Sequence, residues 1–253
     1  MVTASEYAAP AVMRIAVLMP VYNAPSLLGQ TLRGVREIAP ELGGVTVFLV
    51  DDGSERPLAP ADMPEPTFAF RLVLARHAIN LGQGAALETA RQLALREPGF
   101  AAYVTMDADG QHRPEDLPAL VAAIDSGADV AFGDRFGGDS NVPPARRALL
   151  LLARSFESAL TGLRLSDAHN GFRALSRRAV EAVHLRQNRM AHATEIKQQI
   201  ARAAGPGRER LSVVEVPVSV RYTRERLAEG QRSLGAVSIL RDLVHRYLFE
   251  GAE

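Results

Sequence analysis

The sequence predicts an α/β fold, a mostly parallel sheet covered by helices on both faces. Three observations lead there. Short apolar and β-branched runs alternate with segments of helical spacing along the first half of the chain. Polar and turn residues gather directly after four of those runs, at Pro20 and Tyr22, Asp51 and Asp52, Asn80 and Gly82, and Asp107 and Asp109. Finally, 253 residues with 47% apolar and 23% charged side chains suit an ordinary globular domain with a sizeable core. Strands that alternate with helices pair in parallel and need cover on both faces. Ligands of such sheets bind beyond the carboxyl ends of the strands, where the four polar clusters fall.

Element by element, residues Arg14 to Met19 form a first buried strand that ends at Pro20. Ser26 to Ile38 has helical spacing, with Leu27, Leu28, Leu32, Val35 and Ile38 on one side and Ser26 as the N-cap. Val45 to Val50 is a second strand, and a proline-rich loop follows from Pro57 to Pro66. Phe70 to Ala75 is a third, after which Asn80-Leu81-Gly82-Gln83-Gly84 opens a helix to about Leu95. Tyr103 to Met106 is the fourth strand. Beyond it the pattern predicts a helix over Leu117 to Asp125, a strand over Asp129 to Gly133 and a Gly/Pro-rich loop over Gly137 to Pro144. Helices follow over Ala145 to Leu163, Ser176 to Leu185 and Ala191 to Ala204. Leu211 to Tyr222 alternates as a strand, and Pro217 places it at a sheet edge or a bulge. The domain organisation expected is an N-terminal tail over 1–12, a catalytic domain over 13–222 and a C-terminal arm with an amphipathic helix over 223–253.

Composition narrows the function. The formal net charge is zero, with 29 basic and 29 acidic residues, which argues against a nucleic-acid-binding surface. Lys197 is the only lysine, so the positive charge is carried by arginine, a planar donor suited to phosphate. Cysteine is absent, which fits a reducing cytosol and excludes disulfides and thiolate metal sites. No apolar run approaches the ~20 residues of a membrane helix, and residues 1–10 do not read as a signal peptide.

The chemistry centres on Asp107-Ala108-Asp109-Gly110-Gln111-His112. Two carboxylates one residue apart at a strand end suit Mg²⁺ or Mn²⁺, which accept carboxylate, water and substrate phosphate together. A solvated acidic turn is the other reading of the same residues. Neither His112 nor His192 has a histidine partner at zinc-ligand spacing.

Five segments occur in order: Pro20-Val21-Tyr22-Asn23, Asp51-Asp52-Gly53-Ser54, Asn80-Leu81-Gly82-Gln83-Gly84, Asp107 to His112, and Asp167-Ala168-His169-Asn170-Gly171-Phe172-Arg173. Together they resemble family 2 glycosyltransferases with the GT-A fold, a Rossmann-like α/β architecture, and in particular the dolichyl/polyprenyl-phosphate sugar synthases. The resemblance spans about Ile15 to Tyr222. It implies a metal-dependent, inverting transfer of sugar from a nucleotide diphosphate donor of UDP or GDP type, with Mg²⁺ or Mn²⁺.

Carried onto this sequence, the resemblance implies that Asp109 holds the metal, with Asp107 facing metal-bound water or ribose and Gln111 as a further ligand. Pro20, Tyr22, Asp51, Asp52, Asn80 and Gly84 would shape the nucleotide pocket. Ala24 stands where the family often has an acidic residue. Arg135 and Arg173 lie in matched motifs and would neutralise the diphosphate from the other side. Arg146, Arg147, Asp167, Arg232 and Ser233 are candidates for the acceptor or its phosphate, and Asp167 equally suits a structural role in its loop.

The acceptor class turns on a general base. A lipid phosphate arrives ionised and needs none, whereas a sugar hydroxyl needs a carboxylate within hydrogen-bond reach. Glu195 occupies the position where the family places such a base, and a solvated or arginine-paired helix carboxylate is the plainer account. Ser233 to Phe249 reads as an amphipathic helix packed on the core or lying in a membrane interface. The leading expectation is sugar transfer to polyprenyl phosphate by a cytoplasmic protein, with peripheral contact at the inner membrane face or a membrane-protein partner. The same chemistry onto a sugar hydroxyl of a glycan or lipid-linked saccharide is the first alternative. A non-catalytic nucleotide-sugar-binding protein is the second.

Overall fold

The computed structural model describes residues 14–23, 27–137, 158, 161–163, 165–167, 170–188, 192–203 and 210–220. In chain order the elements are β1 (Ile15–Val21), α1 (Leu28–Ile38), β2 (Val45–Asp51), β3 (Phe70–Arg76), α2 (Gln83–Leu95), β4 (Ala102–Thr105) and α3 (Leu117–Asp125). They continue with β5 (Val130–Asp134), β6 (Arg173–Leu175), α4 (Arg177–Ala182), α5 (His192–Arg202) and β7 (Val213–Pro217). The seven strands form one sheet in the order β3-β2-β1-β4-β6-β5-β7. All neighbours are parallel except β6, which runs antiparallel to both β4 and β5.

Alternation along the strands explains the two-sided core. Ile15, Val17 and Met19 of β1 and Val45, Val47 and Leu49 of β2 point to one face, where Leu28, Leu32 and Val35 of α1 and Leu117, Leu120 and Val121 of α3 cover them. Ala16, Leu18, Phe48 and Val50 point to the other, beneath Ala86, Leu87, Ala90 and Ala94 of α2 and Ile196 and Ile200 of α5. Burial on both faces is why β2 is apolar almost throughout, with all seven residues buried.

Several expected boundaries shift. β1 does not end at Pro20: it runs to Val21, whose carbonyl accepts from Asp52 N at 2.8 Å. The helix expected over Ser176 to Leu185 stops at Ala182. Competing acceptors end it, since His184 N donates to Gln199 Oε1 and Leu185 N donates to Glu88 Oε2. Ser176 does cap its start, accepting from Ala179 N at 3.2 Å. β7 is five residues long and lies at the sheet edge, with Pro217 as its last residue. The sequence predicts no element at β6, whose three residues are too few for any period to register. The N-cap Ser26 and the C-terminal amphipathic helix lie outside the described residues, as do the tail over 1–12, the arm over 223–253 and all of the helix expected over Ala145 to Leu163 but residues 158 and 161–163. Among the described residues no helix is long and apolar enough to cross a membrane.

Candidate active site

The carboxyl ends of β1, β2 and β4 form a rim, and the acidic turn leaves from β4. Met106 N donates to Leu18 O at 3.1 Å, which keeps the turn beside β1. Gly110 takes φ 72° against the Leu27 side chain, a conformation that favours glycine. Asp109 Oδ1 accepts from Gln111 N at 3.0 Å, closing the turn on itself. His112 holds it from behind: its Nδ1 accepts from Asp107 N at 3.1 Å, and its ring stacks on Phe172 at 4.9 Å and 13°. Burial, helped by the charges of Arg135 and Arg173 and opposed by Asp109, pushes the His112 imidazole down to about 4. It is therefore neutral at physiological pH, as an Nδ1 acceptor must be.

Asp107 sits between acid and base. Its side chain keeps 34% of its surface open to solvent. Gln83, the first residue of α2, donates to its Oδ1 at 2.9 Å. A Cβ on Gly171 would lie 2.9 Å from its Oδ2, so any larger residue there would displace the carboxylate. Enclosure pushes the Asp107 carboxyl up, against the pull of Arg173, His192 and Arg135.

The Asp51-Asp52-Gly53-Ser54 turn is held by two consecutive side chains, Arg76 and His77. Arg76 Nη1 donates to Asp51 Oδ2 at 2.7 Å, and Ser54 N to Asp51 Oδ1 at 2.9 Å. His77 Nδ1 lies 2.7 Å from Asp52 Oδ1. Asp52 also accepts from Leu81 N at 3.0 Å and Gly82 N at 2.7 Å. Both carboxylates are buried, so they fix the floor of the rim. Gly53, at φ 72°, packs on the backbone of Ile79 and Asn80. Above this floor Pro20 is half-buried, Asn80 is exposed, and Tyr22 is 48% exposed at the end of β1. Gly84 is buried and its N–H goes to Asn188 O at 2.8 Å. A Cβ there would meet Gln187 O at 2.0 Å, which gives this glycine a packing role.

The basic side comes from β5 and β6. Arg135 is 7% exposed, and its Nε and backbone N–H both donate to Asp167 Oδ2. Glu215 of β7 secures that pair by accepting from Ser166 N at 2.6 Å and Asp167 N at 3.4 Å. Arg173 Nη2 donates to Asn170 O at 3.0 Å, and its guanidinium lies 5.9 Å from the Phe132 ring centroid. Because β6 is antiparallel, its first residue lies at the rim where the parallel strands end, and this brings Arg173 to Asp107.

The structure thus gathers Asp107, Arg135 and Arg173 on one rim beside the turn that carries Asp109 and Gln111. Glu195 is buried and turned toward its own loop, where its Oε2 accepts from Arg186 N at 3.0 Å and Gln187 N at 2.9 Å. Arg146, Arg147, Arg232 and Ser233 lie outside the described residues. Sequence reasoning missed Gln83, His77 and Glu215. Gln83 stood inside a quoted motif, whereas nothing in the sequence singles out His77 or Glu215 before β2, β3 and β7 are placed.

Comparison with known proteins agrees with this architecture. Residues 16–183 match the model of the family described as glycosyl transferase family 2. Polyprenol monophosphomannose synthase of Mycolicibacterium smegmatis is 32% identical over 225 residues, covering 87% of this chain and 81% of that protein. Undecaprenyl-phosphate mannosyltransferase of Micrococcus luteus is 30% identical over 233 residues, covering 89% and 90%. Among solved structures, glucosyl-3-phosphoglycerate synthase of Mycobacterium tuberculosis in complex with Mn²⁺ and UDP-glucose shares the GT-A fold, with a TM-score of 0.60 at 18% identity over 92% of this chain and 79% of that one. The chain is a glycosyltransferase and belongs to glycosyl transferase family 2, on the branch that holds these polyprenyl-phosphate relatives.

Proposed function

We propose that the protein moves a sugar from a nucleoside diphosphate donor to polyprenyl phosphate, with inversion at the anomeric carbon. The observation that carries this reading is the single rim on which Asp107 and the turn bearing Asp109 face Arg135 and Arg173. A departing nucleoside diphosphate develops negative charge, and guanidinium groups fixed in a partly enclosed site stabilise it without reorganising. The acceptor phosphate oxygen attacks the anomeric carbon from the face opposite the leaving group. The bond from that carbon to the diphosphate breaks, and the electron pair leaves with the nucleotide. The anionic acceptor has no proton to lose, so no base is needed.

Glu195 favours this acceptor over a sugar hydroxyl. Its Oε2 is committed to two backbone N–H groups, which suits an anchor for the loop entering α5. The alternative onto a hydroxyl would need this carboxylate turned to the substrate. The names of the two curated relatives, each a polyprenyl-phosphate mannosyltransferase or synthase, support the same choice.

A divalent ion fits the donor set. Among the described residues no three His, Asp or Glu side chains form a protein-only cage. Two rim carboxylates and the Gln111 amide, with the rest of the shell left to substrate phosphate and water, suit Mg²⁺ or Mn²⁺. Asp109 and Asp107 would hold the ion with Gln111, and when bound it would supply charge to the diphosphate. Tyr22 and Pro20 flank the place for the base, and the acceptor's lipid requires that the protein work at a membrane surface. The test is transfer from UDP- and GDP-sugars to a short-chain polyprenyl phosphate with Mn²⁺, followed by mass spectrometry of the lipid product. Product with one donor class, lost in Asp109→Ala, supports the reading. Nucleotide binding without lipid product from any donor would overturn polyprenyl phosphate as the acceptor.

A further inference from the structure

We infer that His77 is a positioning residue of the nucleotide rim, acting through Asp52 on the loop that presents Gln83 to Asp107. It lies immediately after β3, and its side chain is only 12% exposed. The ring spans two elements. Nδ1 lies 2.7 Å from Asp52 Oδ1 and, against a carboxylate acceptor, donates to it. Nε2 lies 2.9 Å from Thr89 Oγ1 on α2. The backbone N–H of His77 donates to Asp51 O at 2.8 Å, so the residue is fixed at both ends.

Asp52 passes this constraint on. Its two oxygens take the N–H groups of Leu81 and Gly82, the residues directly before α2. Gly82 adopts φ 106°, a conformation open to glycine and unfavourable for other residues, and it turns the chain into α2. The next residue is Gln83, whose side chain holds Asp107 Oδ1 at 2.9 Å. A path of contacts thus runs from Thr89 through His77 and Asp52 to the loop over 81–82 and on to the rim carboxylate. Arg76, the neighbour of His77, makes the parallel contact to Asp51 and Ser54 O and leaves the Leu81–Gly82 loop alone. The two consecutive side chains therefore divide the work: Arg76 closes the turn after β2, and His77 joins that turn to α2.

This inference rests on the nucleotide-site reading, and the experiment separates the two. Amide hydrogen exchange of Leu81 and Gly82 and the affinity for UDP and GDP with Mn²⁺ are measured in the wild type, His77→Phe, His77→Asn and Thr89→Val. Losing a hydrogen bond to a charged group should speed exchange at Leu81 and Gly82 about tenfold or more in His77→Phe and weaken nucleotide binding by a similar factor. His77→Asn keeps a donor near Asp52 and should recover most of both effects, while Thr89→Val, remote from the rim, should show a smaller change of the same sign. Amides of β1 and β4 should keep wild-type protection, which separates a local effect from general unfolding. Unchanged exchange at Leu81 and Gly82 in His77→Phe, or nucleotide affinity equal to wild type despite faster exchange, overturns the inference. If the wild type binds neither nucleotide, the nucleotide-site reading fails, and the positioning role fails with it at the rim.

Discussion

One oxygen of Asp167 accepts from both the side chain and the backbone N–H of Arg135, and both residues are buried. Such a pair is worth little net stability as a unit, because desolvation offsets the attraction, but removing one partner is costly. Asp167→Ala should therefore lower unfolding stability by about 3–5 kcal/mol in chemical denaturation. The double variant Asp167→Leu with Arg135→Met should recover much of that loss while remaining inactive, which distinguishes Arg135's charge from its packing.

Glu195→Gln keeps the size of the side chain and an acceptor for the N–H groups of Arg186 and Gln187. With a lipid phosphate acceptor, kcat should stay within about tenfold of wild type, whereas loss of a general base costs about 100-fold or more. Steady-state transfer kinetics decide it, and a loss on the larger scale would return the hydroxyl acceptor to first place.

Gly84→Ala should destabilise the fold by about 3 kcal/mol, because the new methyl would meet the Gln187 carbonyl at 2.0 Å and α2 must move away from the 187–188 segment. Thermal unfolding reads the loss. A nucleotide-binding defect at temperatures where the variant is fully folded would show that the same shift reaches Gln83.

Acid should weaken the turn after β2. Burial alone would push the Asp51 carboxyl up, but the Ser54 hydroxyl, the Ser54 and Leu58 N–H groups and Arg76 outweigh it and hold it below its ordinary value of 3.8. A depressed carboxyl contributes stability that is complete above the unfolded value and is lost as pH falls through the folded one. Unfolding stability should thus decline below pH 3.8, and Asp51→Asn should flatten that decline while lowering stability at neutral pH. An unchanged slope between wild type and variant would assign the acid sensitivity elsewhere, with Glu88 and Asp129, also held low, as the next groups to test.

Much of this was legible in the chain. β2 and α3 announce themselves because burial on both faces leaves a continuous apolar run and an amphipathic period leaves a stripe, both local properties. The rim residues Asp51, Asp107 and Asp109 were legible because turn chemistry at a strand end is local too. What escaped depends on distant pairing. β6 exists only because β4 and β5 flank Arg173 to Leu175, and α4 stops early only because Glu88 and Gln199 offer other acceptors. The reason for Gly84 is the 187–188 backbone, about a hundred residues on and invisible to any window of sequence.

The reversed strand has a consequence for how this enzyme can vary. β5 ends and β6 begins at the same rim, so the points where the chain leaves the sheet and re-enters it are riveted together by the Arg135–Asp167 ion pair and by the ladder of Phe132 with Arg173. Insertions and deletions between two points fixed in this way leave the register of the sheet untouched. A lineage can therefore vary the length of chain between them while keeping, unchanged, the arginines and carboxylates of the rim.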